Sequence, residues 1–124
     1  MRTVTVTEPS LLIRIAQLFD PKMSRAQLYE VTRGVWKVGT RRDGVQFALA
    51  VAEGVVREVF EVQRWHPAGS TPYTTRPRSQ VAIEGRWEFT GVVANERIRD
   101  KYLDASVAHY FARGNSNPIL YVNA

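Results

Sequence analysis

The chain contains no cysteine, which removes disulfides, thiolate nucleophiles and cysteine-based zinc sites together. Histidine is nearly absent: His66 and His109 lie far apart, one in a loop-like and one in a helix-like stretch, with no helical histidine pair and no phosphate-binding glycine loop. Neither a metal nor a cofactor is therefore expected. Long hydrophobic runs are missing too. The start, Met1-Arg2-Thr3-Val4-Thr5-Val6, lacks a signal-peptide core, and the stretch from Leu11 to Phe19 is short and interrupted by Arg14, so a cytoplasmic protein without a membrane partner is expected. Lysine is scarce, with three against fourteen arginines.

What is present is arginine and tryptophan. A net charge of +5 and a pI near 10.0 favour a polyanionic partner. The arginine excess favours a planar, forked cation suited to phosphates and base edges, although a GC-rich genome produces the same bias. With 124 residues, 44% apolar and 23% charged, the chain is read as one globular domain.

Alternating Thr and Val over residues 2–7 predicts a short first strand, broken by Glu8-Pro9-Ser10. Leu11, Leu12, Ile15, Leu18 and Phe19 fit a helical stripe that stops at Asp20-Pro21. Ser24 and Gln27 have the spacing of a capping box, opening a second helix that Gly34 is placed to end in a left-handed conformation. Val45, Phe47, Leu49 and Val51 alternate against Ala48, Ala50 and Ala52. With Val55 to Val62 beyond Glu53-Gly54 they predict a hairpin, whose alanine face leaves room for a helix. Residues 64–80 lack periodicity and read as a long functional loop or a mobile flap. A strand through Trp87, Phe89 and Val93, a helix from Ile98 to Phe111 and a last strand over Ile119 to Val122 complete the chain. The fold class is α+β, a curved, mostly antiparallel sheet or small barrel with flanking helices.

Tryptophan joins a flat π-face to a single donor, so indoles beside arginines suggest a surface for a planar, anionic ligand. Trp36 neighbours Arg33, Lys37, Arg41 and Arg42, and is either a stacking wall or a core residue closing the sheet. Trp65, beside Arg64 and His66, carries the same two readings, and Tyr73 in the long loop is a third stacking candidate. Trp87 alternates with Phe89 and reads as core. Arg33, Lys37, Arg41 and Arg42 on one edge, with Arg64, Arg76 and Arg78 on the other, would clamp phosphates around an inserted base. Alternatively they form a solvated rim, partly neutralised by Glu30, Asp43, Glu61 and Glu84. His66 near Ser70, Thr71 and Tyr73 is the only arrangement that could activate a hydroxyl, and it lacks an orienting acid.

The segments Leu28 to Gly39, Phe47 to Val51, Val55 to Val59, Trp65 to Gly69, Gly85 to Phe89 and Asn117 to Asn123 resemble a group of small bacterial and phage-borne proteins, a likeness that implies no activity. Gly34-Val35-Trp36 after a helix, followed by the Val45 to Val62 hairpin, resembles the PUA-like superfamily in its EVE and YTH branches. That resemblance implies a PUA-like barrel in which an aromatic cage beside a basic groove holds a modified base, with Trp36 as one wall and Trp65 placed like a second. The expected function is nucleic-acid recognition, of DNA or RNA, without chemistry and with Trp36 and Trp65 facing one hollow. The rival classes are a protein-binding module, such as a phage or mobile-element inhibitor using Trp and Arg as interface anchors, and a small nucleotide-acting enzyme using His66.

Overall fold

Six strands and three helices follow one another in the computed structural model, which describes residues 1–124. They are β1 (Ser10–Arg14), α1 (Arg25–Thr32), β2 (Gly34–Trp36), β3 (Phe47–Ala52), β4 (Val55–Pro67), α2 (Arg78–Val81), β5 (Trp87–Val93), α3 (Glu96–Tyr102) and β6 (Ile119–Val122). The strands make one curled sheet in the order β2-β5-β4-β3-β1-β6. β1 runs parallel to β3 and every other neighbour is antiparallel, so the fold is α+β around a mixed, half-barrel sheet with β2 and β6 as its edges. No helix is long and apolar enough to cross a membrane.

The predicted hairpin is β3–β4, turned by Glu53 and Gly54 with φ of 55° and 74°. Two left-handed residues in a two-residue loop match the twist of the strands, which is why glycine takes the second place. All of β3 is buried, because both faces of the sheet are covered. Phe47, Leu49 and Val51 join Leu12, Val56 and Val59 against Ile98 and Tyr102 of α3. Ala48, Ala50 and Ala52 share the other face with Leu11, Ile13, Phe60, Phe89 and Val31 of α1, and the missing side-chain bulk lets Tyr29 of that helix reach Phe60 at 5.3 Å. Each fully buried Leu, Ile or Val contributes about 1.5–3 kcal/mol. The capping box opening α1 is formed: Gln27 N–H donates to Ser24 Oγ, and Ser24 N–H donates to Gln27 Oε1.

Several expectations are corrected. The segment read as a helix from Leu11 is strand β1, in which Leu11, Leu12 and Ile13 have no exposure at all. A strand buried on both faces shows an unbroken apolar run, which a helical stripe can mimic over so few residues. Residues 2–7 join no strand; a single bridge ties Thr3 to Ser106, and Val6 is buried. The last helix stops at Tyr102, because Asp104 takes φ 63° and its N–H is committed to Val56 O. Only a short 3-10 turn, Ala108–Tyr110, follows. Gly34 is not left-handed; it opens β2, and a Cβ there would lie 2.6 Å from the Tyr73 hydroxyl. β4 runs on to Pro67, so Arg64 and Trp65 stand on a strand, not in a loop.

Candidate functional site

The long irregular stretch is pinned from below. Glu88 of β5 is fully buried and accepts hydrogen bonds from Gly69 N–H at 2.6 Å, Thr71 N–H at 3.0 Å, the Thr71 hydroxyl and the Tyr73 hydroxyl. Arg33, only 3% exposed, pairs with Glu88 at 3.6 Å, donates to Thr71 Oγ1 and Pro72 O, and lies 3.7 Å from the Tyr73 ring centroid. Glu30, at the end of α1, accepts from the N–H and hydroxyl groups of Thr74 and Thr75. Arg76 donates to the Glu30 and Gly34 carbonyls. Burial alone would raise the Glu30 carboxyl, but the bonds from Thr75 and Thr74 outweigh it and hold it below its ordinary value. Burial pushes the Tyr73 phenol up and the Arg76 guanidinium down.

Arg33, Tyr73 and Arg76 are thus spent on holding the loop, a correction to their expected roles at base and phosphate. Much of the arginine excess has the same use: Arg2, Arg14, Arg33, Arg41, Arg42, Arg57, Arg76, Arg78 and Arg86 all donate to backbone carbonyls. Arg41 bonds Ala124 O and stacks on Tyr121; Arg78 bonds Gly69 O at the surface. Of the seven expected phosphate residues, Lys37 and Arg64 alone are exposed with no protein partner at all. The expected neutralisation by Asp43, Glu61 and Glu84 does not occur, since none of them forms an ion pair.

Trp36 and Trp65 do not face one hollow. Trp36 is 8% exposed, sits in the core of the alanine face and donates its Nε1–H to Thr32 O at 2.7 Å. What remains accessible of it borders a mainly apolar cavity of about 470 Å³ with Ile15, Leu18 and Pro118. Trp65 borders a different cavity, of about 410 Å³, and its companion there is Trp87. The β4–β5 register explains the pairing. Trp65 stands opposite Phe89 and Pro67 opposite Trp87, so the two indoles are diagonal neighbours on one face of the sheet.

This second cavity is built from three pieces. A 3-10 turn, Thr40–Gly44, brings Arg42 and Asp43 to its rim, with Val45 following. β4 supplies Val62, Gln63, Arg64 and Trp65, across a register shift between Val62 and Arg64 that leaves Gln63 unpaired as a bulge. Gly91 makes the bulge possible, since a Cβ there would fall 2.1 Å from Glu61 O. β5 supplies Trp87, whose ring carries the Arg42 guanidinium at 3.6 Å.

The cavity's polar groups are largely unspent. Trp65 Nε1 and Arg42 Nε are buried donors with no acceptor. Asp43 and Arg64 form no ion pair, and neither they nor the Gln63 amide make a side-chain hydrogen bond. Trp65 Nε1 and Arg42 Nε are sealed from solvent, as are the unpartnered Arg33 Nε and Tyr121 hydroxyl elsewhere, so the groups open to a ligand are those of Asp43, Gln63 and Arg64. The arrangement offers two indoles, one of them covered by Arg42, with an exposed arginine, an amide and a carboxylate.

The arrangement around His66 offers less. Its Nε2 lies 3.0 Å from Thr90 Oγ1, while the Ser70 hydroxyl donates to Pro67 O and those of Thr71 and Tyr73 to Glu88. None of the three hydroxyls is bonded to the imidazole.

Sequence reasoning missed Trp87 because its alternation with Phe89 is that of a core strand; it stays half-buried as the first residue of β5, with the Arg42 guanidinium over its ring. No protein-family model, curated protein or solved structure matches the chain.

Proposed function

We propose that the protein is a nucleic-acid-binding module that takes one unpaired or extruded base, modified or not, into the cavity between Trp65 and Trp87. Arg42, Arg64 and Lys37 would neutralise the flanking phosphates. The observation that carries this reading is the pairing of two half-buried indoles with two arginines around one cavity whose Asp43, Gln63 and Arg64 side chains have no partner in the chain. Base stacking on an aromatic side chain contributes about 1–3 kcal/mol, and phosphate neutralisation adds a salt-dependent part. The PUA-like reading of the EVE and YTH kind is kept as part of the proposal. It is supported by the succession of α1, the Gly34-Val35-Trp36 strand and the β3–β4 hairpin in a curled sheet. A cytoplasmic setting goes with it.

The test is fluorescence anisotropy with labelled single-stranded and duplex DNA and RNA over a salt series. Affinity is expected to fall steeply with salt, and Trp65→Ala to lose about 1–3 kcal/mol of binding while circular dichroism remains that of the native fold. Absence of binding to every oligonucleotide, or an unaltered affinity for Trp65→Ala, would overturn the proposal.

A second reading, a protein-binding module, is favoured by one feature. Beyond Glu88, β5 has no strand on its outer side; Arg33 O and the Tyr29 hydroxyl take the Phe89 and Gly91 N–H groups, and past them Val92 and Val93, 48% and 43% exposed, leave a short open edge to which a strand could add. A partner-dependent shift in gel filtration, lost on Val92→Lys, would favour it over the first.

A further inference from the structure

Stacking alone does not tell one base from another, since every base has a π-face; discrimination needs hydrogen-bonding groups at the ring's edge. In the Trp65–Trp87 cavity such groups are present and uncommitted. Asp43 is a carboxylate at the rim with no ion pair and no hydrogen bond, although cations stand on both sides of the cavity. Ionised, it is acceptor-only, with two oxygens side by side.

Resting on the nucleic-acid reading, we propose that this cavity selects guanine. Guanine is the common base whose pairing edge offers two adjacent donors, the ring N1–H and the exocyclic amino group, and these match the two oxygens of one carboxylate. Adenine and cytosine present one donor beside a lone pair, and uracil or thymine one donor flanked by two carbonyls. Each would turn a lone pair toward the Asp43 carboxylate and leave an oxygen of it unsatisfied, the kind of mismatch a polar site rejects strongly. The remaining unspent cation fits the same ligand: exposed Arg64, with no partner in the chain, takes the phosphate. The guanine ring belongs either to a nucleic-acid strand or to a free nucleotide; the chemistry of the pocket is shared by both.

The experiment is a tryptophan-fluorescence titration of the intact chain with GMP, AMP, CMP and UMP, and with a decathymidylate carrying either one central guanine or none. GMP is expected to bind about tenfold or more tighter than the other three, and the guanine-bearing strand tighter than plain decathymidylate. In Asp43→Asn the preference is expected to vanish through weakened guanine binding, with AMP affinity unmoved. If the guanine-bearing strand binds more tightly than GMP the source is nucleic acid, and if GMP equals or exceeds it the source is a free nucleotide. Equal affinity for all four bases in a protein that still depends on Trp65, or a preference that survives Asp43→Asn, overturns guanine selection and leaves base binding standing. No response to any nucleotide or strand overturns both.

Discussion

Two clusters in this molecule use the same kinds of residue to opposite ends. Below the long loop, Arg33 lies on Tyr73 at 3.7 Å and pairs with Glu88; at the rim of the second cavity, Arg42 lies on Trp87 at 3.6 Å with Asp43 nearby. In the first, nearly every polar atom has found a partner in the chain, Arg33 Nε being the exception. In the second, the Asp43 carboxylate, the Gln63 amide and the Arg64 guanidinium have no partner in the chain. A cation, an aromatic ring and a carboxylate do not by themselves mark a binding site; what separates a clasp from a site is whether their hydrogen-bonding capacity is used up.

Substitutions in the clasp are accordingly expected to cost stability, and those at the cavity to cost binding. The largest effect is expected for Glu88→Ala, which strands a buried arginine and two loop N–H groups. Urea denaturation should show a loss of about 3–5 kcal/mol, and a loss under about 1 kcal/mol would mean that the loop does not depend on the clasp. Next comes Glu30→Gln, expected to cost about 1.5–3 kcal/mol at neutral pH through weakened charge-assisted bonds to Thr74 and Thr75. Because the folded carboxyl titrates below its ordinary value of 4.5, its stabilising contribution is complete above that value and disappears as pH falls through the folded one. Glu30→Gln should therefore flatten the acid limb of stability against pH, followed by urea melts between pH 7 and pH 3. Smallest is Arg64→Ala. It is expected to change stability by no more than about 0.5 kcal/mol, while lowering the salt slope of oligonucleotide binding by about one. A stability loss comparable to that of Glu88→Ala would erase the distinction between the two clusters.

The β3–β4 hairpin, the capping box at Ser24 and the terminal strand were legible because each rests on local chemistry: alternation, a two-residue turn, a cap spacing three residues apart. Strand β1 was not, since Leu11-Leu12-Ile13 carries no period of its own and becomes a strand only by lying between β3 and β6. The same holds at the site. Arg64 and Trp65 were legible as an arginine beside an aromatic. The partnership with Trp87 depended on β4–β5 register across a bulge, and the withdrawal of Arg33, Tyr73 and Arg76 depended on two carboxylates, Glu30 and Glu88, that lie 44 and 17 residues from their threonine partners Thr74 and Thr71. Long-range pairing decides which of several similar side chains remain free, and nothing in the neighbouring sequence records it.

The three tryptophans have different fates, and their indole N–H resonances in a ¹⁵N–¹H correlation spectrum read this directly. Titrated with a short guanine-containing single strand, the Trp65 and Trp87 signals are expected to shift together in a saturable manner, while that of Trp36, held on Thr32 O, stays in place. A shift of Trp36 with Trp65 and Trp87 unmoved would contradict the assignment of the site, and three stationary signals would contradict the binding of a base.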